Sequence, residues 1–259
     1  MSIRQTIHRN LPLHIAVVAI IGALFWLSSA MIGADFARLI ANVGRAGGLV
    51  SRMLSPNWDY LLAVLPALAE TVQMALAGTT IGAAMALPVS FLATKTITGN
   101  HGVTIVVRSL LNLIRTIPEV LAAALLVALV GIGAFTGMLA IVVFTFGFIS
   151  KLFYESIESI DEGTLEAMAA VGATRAQVAV HAVIPSLLPN IVSYTLYVLE
   201  INVRSSIVLG MVGAGGVGVP LQSAMALARY DRVVVIVLAV FVVVLIIDAL
   251  SAWARRRLL

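Results

Sequence analysis

The residues of this chain that could do chemistry are few, and most lie inside long apolar runs. Arg115 and Glu119 stand four positions apart, and so do Glu200 and Arg204, with Asn202 between the latter two. Spacing of four puts two side chains on one face of a helix, so each couple reads as an ion pair, with Asn202 rotated away. Glu70, Gln73 and Asp248 are isolated by comparison. An ionisable group in the bilayer costs about 2.5–3.5 kcal/mol on insertion scales and needs a counter-charge or water. Two readings stay open. Either the pairs fasten helices together, or they line a water-filled path in which Arg115 or Arg204 lowers the barrier to an anion. Such a path need attract only weakly, since a tight site would trap what it binds.

Other chemistries lack their parts. With no cysteine there is no disulfide, thiolate metal site or thiol nucleophile. His8, His14, His101 and His181 are too dispersed for a zinc site, and none sits in H-E-x-x-H. Ser205 and Ser206 have no evident base. No G-x-x-x-x-G-K-[ST] occurs, so the chain is not expected to hydrolyse ATP or to hold a cofactor or metal itself. "GAGGVG" (213–218) has the dinucleotide spacing, with Asp231 near the expected distance. That motif needs a βαβ setting, however, and here it follows an apolar run. Gly213, Gly215 and Gly216 therefore read as a flexible outer turn or gate hinge.

The elements that must position these residues are membrane helices. Of 259 residues 61% are hydrophobic and 11% charged, against about 25% charged in a soluble domain. The runs are continuous, not alternating, so the fold class is all-α and polytopic, because only helices satisfy the backbone of such runs in lipid. Six spans can be drawn, at 11–33, 66–94, 110–130, 137–154, 189–212 and 232–253. The first could pass for a signal peptide ending at "SSA", but its apolar core runs past the usual 7–15 residues, so it reads as an uncleaved span. Segment 34–60 reads as an amphipathic element on the outer surface. With residues 1–10 inside, ten Lys and Arg fall on inner segments and five on outer ones, which predicts both termini, including 255–259, in the cytoplasm. The basic residues are scattered, so no nucleic-acid partner is expected. "GTTIG" (78–82) is a small-xxx-small pair, expected to pack helices within one subunit.

One segment does not look like a span. Residues 155–186 join the fourth and fifth runs on the inner side, and they contain the short helix "TLEAMAAV", the interruption "GAT" and the helix "RAQVAVHAVI". Gly172 allows an elbow, and Pro185 and Pro189 are expected to end the second helix and start the next span. A plain connection is usually shorter.

Glu166-Ala167, Gly172 five residues after Ala167 and Pro185 thirteen after Gly172 resemble the cytoplasmic EAA loop of ABC-importer permeases. Met168, Ala182 and Ile184 depart from that pattern by apolar swaps. "LAETVQMALAGTTIGAAMALPVSFLA" (68–93), "RTIPEVL" (115–121) and "EINVRSSIVLGMVGAGGVG" (200–218) are similar to the phosphonate branch of the family, over roughly residues 60–254. The resemblance implies a type I importer permease domain at 61–254. Its loop, carrying Glu166, Ala167, Gly172, Ala173 and Arg175, would couple to a cytoplasmic ATPase dimer that binds the ATP and magnesium. It also implies a second copy of the chain, a periplasmic phosphonate-binding protein, and phosphonates as cargo across a bacterial inner membrane, with phosphate or phosphite as alternatives. A permease for another solute, such as an amino acid, or an ion-coupled carrier are the competing readings. A carrier should show inverted repeats, and none is visible.

Overall fold

A computed structural model describes residues 3–34 and 36–258, all helix and connection. Among the described residues five helices are long and apolar enough to cross a membrane, six if one bent pair counts as a span. The chain forms two compact units, Met1–Arg52 and Met53–Leu259. The first holds α1 (Ile3–Ile32), apolar from Leu11 onward, then α2 (Phe36–Ala41) and most of α3 (Val43–Met53).

The second unit is built on α4 (Tyr60–Leu92) and α8 (Ala134–Glu158). These helices lie close because glycines remove the side chains between them. A methyl group on Gly78 would sit 2.6 Å from Ile141 Cγ2, and one on Gly82 2.7 Å from Thr145 Cβ. The small-xxx-small pair thus packs inside one subunit, as the sequence predicts. Around α4 and α8 stand α5 (Lys95–Thr98), α6 (His101–Thr116), α7 (Glu119–Val130), α11 (Ile184–Met211), α12 (Gly218–Ala226) and α13 (Tyr230–Leu258).

Three expectations need correction. The third run is not one helix over 110–130: α6 and α7 meet at 85° across Ile117–Pro118. Ile117 is extended (φ −77°, ψ 118°), since the ring of a following proline disfavours helical angles. Arg115 and Glu119 therefore do not share a helical face. Second, Pro185 and Pro189 do not separate two helices. A short helix α10 (Arg175–Val178) runs through a π-helical turn (Ala179–Val183) straight into α11. Pro185 falls in the first turn of α11, where its missing N–H is tolerated, and the wide turn before it accommodates the ring. Third, 213–218 is not a loose outer turn but a packed one. Gly213, Gly215 and Gly216 have φ of +93°, +81° and +69°, yet Ala214 and Val217 are fully buried. The Val217 N–H donates to Thr71 Oγ1 at 2.8 Å and the Gly133 N–H to the Gly213 carbonyl at 3.0 Å.

Candidate functional site

The segment between α8 and α11 projects as an elbow. Its first arm, α9 (Glu162–Ala170), turns Leu165 toward Ile157, Val183 and Leu187 and leaves Glu166 and Ala167 exposed. Its end is fixed by a pair of backbone bonds, Ala173 N–H to Met168 O at 3.0 Å and Gly172 N–H to Ala169 O at 2.9 Å. That is the Schellman arrangement, which requires left-handed φ at its glycine; Gly172 supplies +74°. Immediately afterwards Thr174 caps α10. Its Oγ1 accepts from Gln177 N–H at 3.4 Å, while Gln177 Oε1 accepts from Thr174 N–H at 2.8 Å. Two caps back to back make the bend a defined angle. The T-x-x-Q spacing that specifies the second cap is visible in the sequence, but attention to the glycine alone misses it.

The base of the elbow is tied down. Arg175 is not free on the surface: its Nη1 donates to the Thr98 carbonyl at 2.9 Å, at the end of α5. Arg108 on α6 donates through Nε to the Ala93 carbonyl at 2.7 Å, pairs with Glu158 at the end of α8, and stacks over Tyr154 at 4.5 Å. Asn190 Nδ2 donates to Ser156 Oγ at 2.7 Å. Sequence reasoning missed these anchors because each joins residues far apart in the chain.

The charges inside the apolar helices pair differently from the four-residue rule. Glu200 accepts from Arg255 at 2.7 Å, and Arg204 binds both oxygens of Asp248 at 3.0 and 3.1 Å. Both pairs join α11 to α13, so Glu200 and Arg204 do not pair with each other and Asp248 is not isolated. Asn202 is fully buried, and its Nδ2 donates to Thr79 Oγ1 at 2.7 Å and Thr145 Oγ1 at 2.8 Å, tying α11 to α4 and α8. Glu119 and Arg115 instead line a cavity of about 310 Å³ at the break between α6 and α7. Glu70 and Gln73 line a smaller one of about 200 Å³, beside Met74 and Phe135.

The architecture is thus an apolar helical bundle with a capped elbow outside it. The chain belongs to the family described as "binding-protein-dependent transport system inner membrane component", whose model matches residues 97–259. It is similar to the phosphite transport system permease protein PtxC of Stutzerimonas stutzeri, 35% identical over 240 residues, 92% of this chain and 87% of that protein. It is also similar to the phosphate-import permease protein PhnE of Mycolicibacterium smegmatis, 35% identical over 212 residues. That match takes in 82% of this chain but only 40% of the relative. Among solved structures, an inward-facing form of the MetNI methionine ABC transporter shares the fold, with a TM-score of 0.70 and 24% identity over 78% of this chain and 99% of that one. The chain is thus a permease subunit of an ABC importer.

Proposed function

We propose that the chain forms the translocation pathway for tetrahedral phosphorus oxyanions (phosphonates, phosphite or phosphate). It would work as a homodimer with a cytoplasmic ATPase dimer and an extracytoplasmic binding protein. The observation that supports this most is the α9–α10 elbow, exposed at Glu166 and Ala167 but fixed in angle by two caps and anchored through Arg175 and Arg108. Such an element suits a lever pressed by another protein. ATP and magnesium then belong to the partner, and the chain itself holds no cofactor. The excess of basic residues on the elbow side favours both termini in the cytoplasm. The similarity to phosphite and phosphate permeases supports the cargo. Closure of the ATPase dimer would move the elbow and favour one of two bundle arrangements, and only contacts that differ between the two can drive the change.

The test is co-expression with a candidate ABC ATPase and a candidate binding protein, in cells lacking phosphonate, phosphite and phosphate uptake. Wild type is expected to co-purify with the ATPase and to restore ATP-dependent uptake of at least one of the three anions. Gly172→Pro and Glu166→Lys are expected to insert normally while losing ATPase association or coupling. Coupled uptake in both variants would exclude the elbow as the dock, and labelling that puts residues 160–180 on the side opposite the ATPase would do the same.

A further inference from the structure

The break in the third apolar run leaves its cavity beside the middle of α8, walled by Ala122, Val143, Phe144 and Phe148. Arg115 and Glu119 are its charged members. Among the described residues no ion pair engages Arg115, in contrast to Arg108, Arg204 and Arg255, each matched to a carboxylate. The Ser205 side chain lies against the Glu119 carboxyl, yet Oε1 is buried with no hydrogen-bond partner. Buried polar atoms without partners are rare in folded proteins. Here the orphan oxygen and the unpaired cation share one cavity. The first bond closing α7 runs from Ala122 N–H to Pro118 O, so the amides of residues 119–121 add the positive end of a helix at the same break.

We propose that this cavity is a transient binding site for a tetrahedral oxyanion that still carries a hydroxyl: Arg115 draws the anion, and Glu119 Oε1 accepts the hydroxyl hydrogen. The inference rests on the phosphorus-oxyanion reading above and adds the residue that discriminates. A carboxylate oxygen repels a bare oxyanion but accepts from a P–OH group. Phosphoryl groups, with a second pKa of about 6, keep that hydroxyl in part of their population near neutral pH, whereas sulfate does not. A site built to receive a hydroxyl rejects an analogue lacking it far more strongly than an apolar pocket rejects a change of size. The stacked Phe144 and Phe148, with centroids 5.6 Å apart, form a wall suited to a P–H or P–alkyl substituent.

The chain has no cysteine, so a single introduced thiol reports on the cavity without background. Ala122→Cys in the assembled importer, in proteoliposomes, is labelled with a methanethiosulfonate while inorganic phosphite, phosphate, methylphosphonate or sulfate is added. At least one phosphorus anion is expected to slow labelling and sulfate to have no effect. Val143→Cys, on another wall, repeats the measurement if the first variant does not assemble. In the reporter background Arg115→Gln is expected to raise the protecting concentration about tenfold or more. Glu119→Gln is expected to let sulfate protect nearly as well as phosphite, with monodisperse assembly of the variant importer as the check on folding. Equal protection by sulfate in the reporter alone, or full discrimination surviving in both variants, overturns the proposal. If the importer transports a phosphorus anion but none slows labelling, the cavity assignment falls while the function stands. If it transports none of the three, both fall.

Discussion

Replacing Arg204 separates a structural role from a role in the path. Arg204 holds both Asp248 oxygens at 3.1 and 3.0 Å, and the two side chains are 53% and 37% exposed. Arg204→Leu leaves Asp248 charged and unmatched. At the centre of a bilayer that costs about 2.5–3.5 kcal/mol. Asp248 lies seven residues from Arg255, however, about 10 Å along the helix toward the basic end, and it is partly open, so roughly 1–2 kcal/mol is the better figure. Asp248→Leu should cost about the same by stranding Arg204. Removing both charges together should return most of the loss, because the double variant leaves neither charge without its partner. The assay is denaturant unfolding of the purified protein in mild detergent, read as a double-mutant cycle beside uptake. A double variant as destabilised as the two singles added together would show that the residues are not coupled. Single variants of wild-type stability that nonetheless abolish uptake would move Arg204 into the path.

Asn202→Val removes two buried interhelical bonds and should cost about 1–2 kcal/mol in the same unfolding assay, with Thr79→Val costing about half. Gly215→Ala places a methyl 2.6 Å from the Ala134 nitrogen at a φ of +81°, so about 2 kcal/mol or more of stability is lost, seen as reduced yield of monodisperse protein. Thr174→Ala deletes one cap of the elbow, worth about 1 kcal/mol locally, and should speed proteolysis near residue 174 and lower ATPase stimulation by the binding protein. Deleting Val180 would convert the π turn to regular helix and rotate the elbow by roughly 100° against α11; assembly in the membrane should survive while coupled uptake fails, and unchanged uptake would refute it.

The fold class was legible because lipid leaves the backbone few solutions: an apolar run of the right length must be helix. The elbow was legible because Gly172 marks it. What could not be read was the partnering between helices. The four-residue rule sees one helix only, so it joined Glu200 to Arg204, whereas antiparallel packing of α11 and α13 brings Arg255 to the first and Asp248 to the second. The break at Pro118 was written in the sequence, but the apolar residues on either side of it allow one continuous span to be drawn over 110–130. At Pro185 the error ran the other way: a proline that reads as a stop is accommodated beside a π turn. Asn202 could not be given its partners from the sequence, because Thr79 and Thr145 are 123 and 57 residues away.

These pairings bear on how the proposed lever could reach the solute. From Arg175 to Met211 the chain is helical for 37 residues, about 55 Å, which exceeds the roughly 30 Å hydrocarbon core by enough to carry α10 clear of it. No loop therefore intervenes between the elbow and Asn202, and Asn202 bonds directly to α4 and α8. The only soft places on that line are the π turn at Ala179–Val183 and Pro189, both near the elbow end. Beyond them α11 is stiff and holds Ser205 against Glu119 at the broken span. A push on α9 would thus reach the cavity through one helix and one side-chain contact. A loose loop in the same position would dissipate it, which is a physical reason for the two caps at 172 and 174.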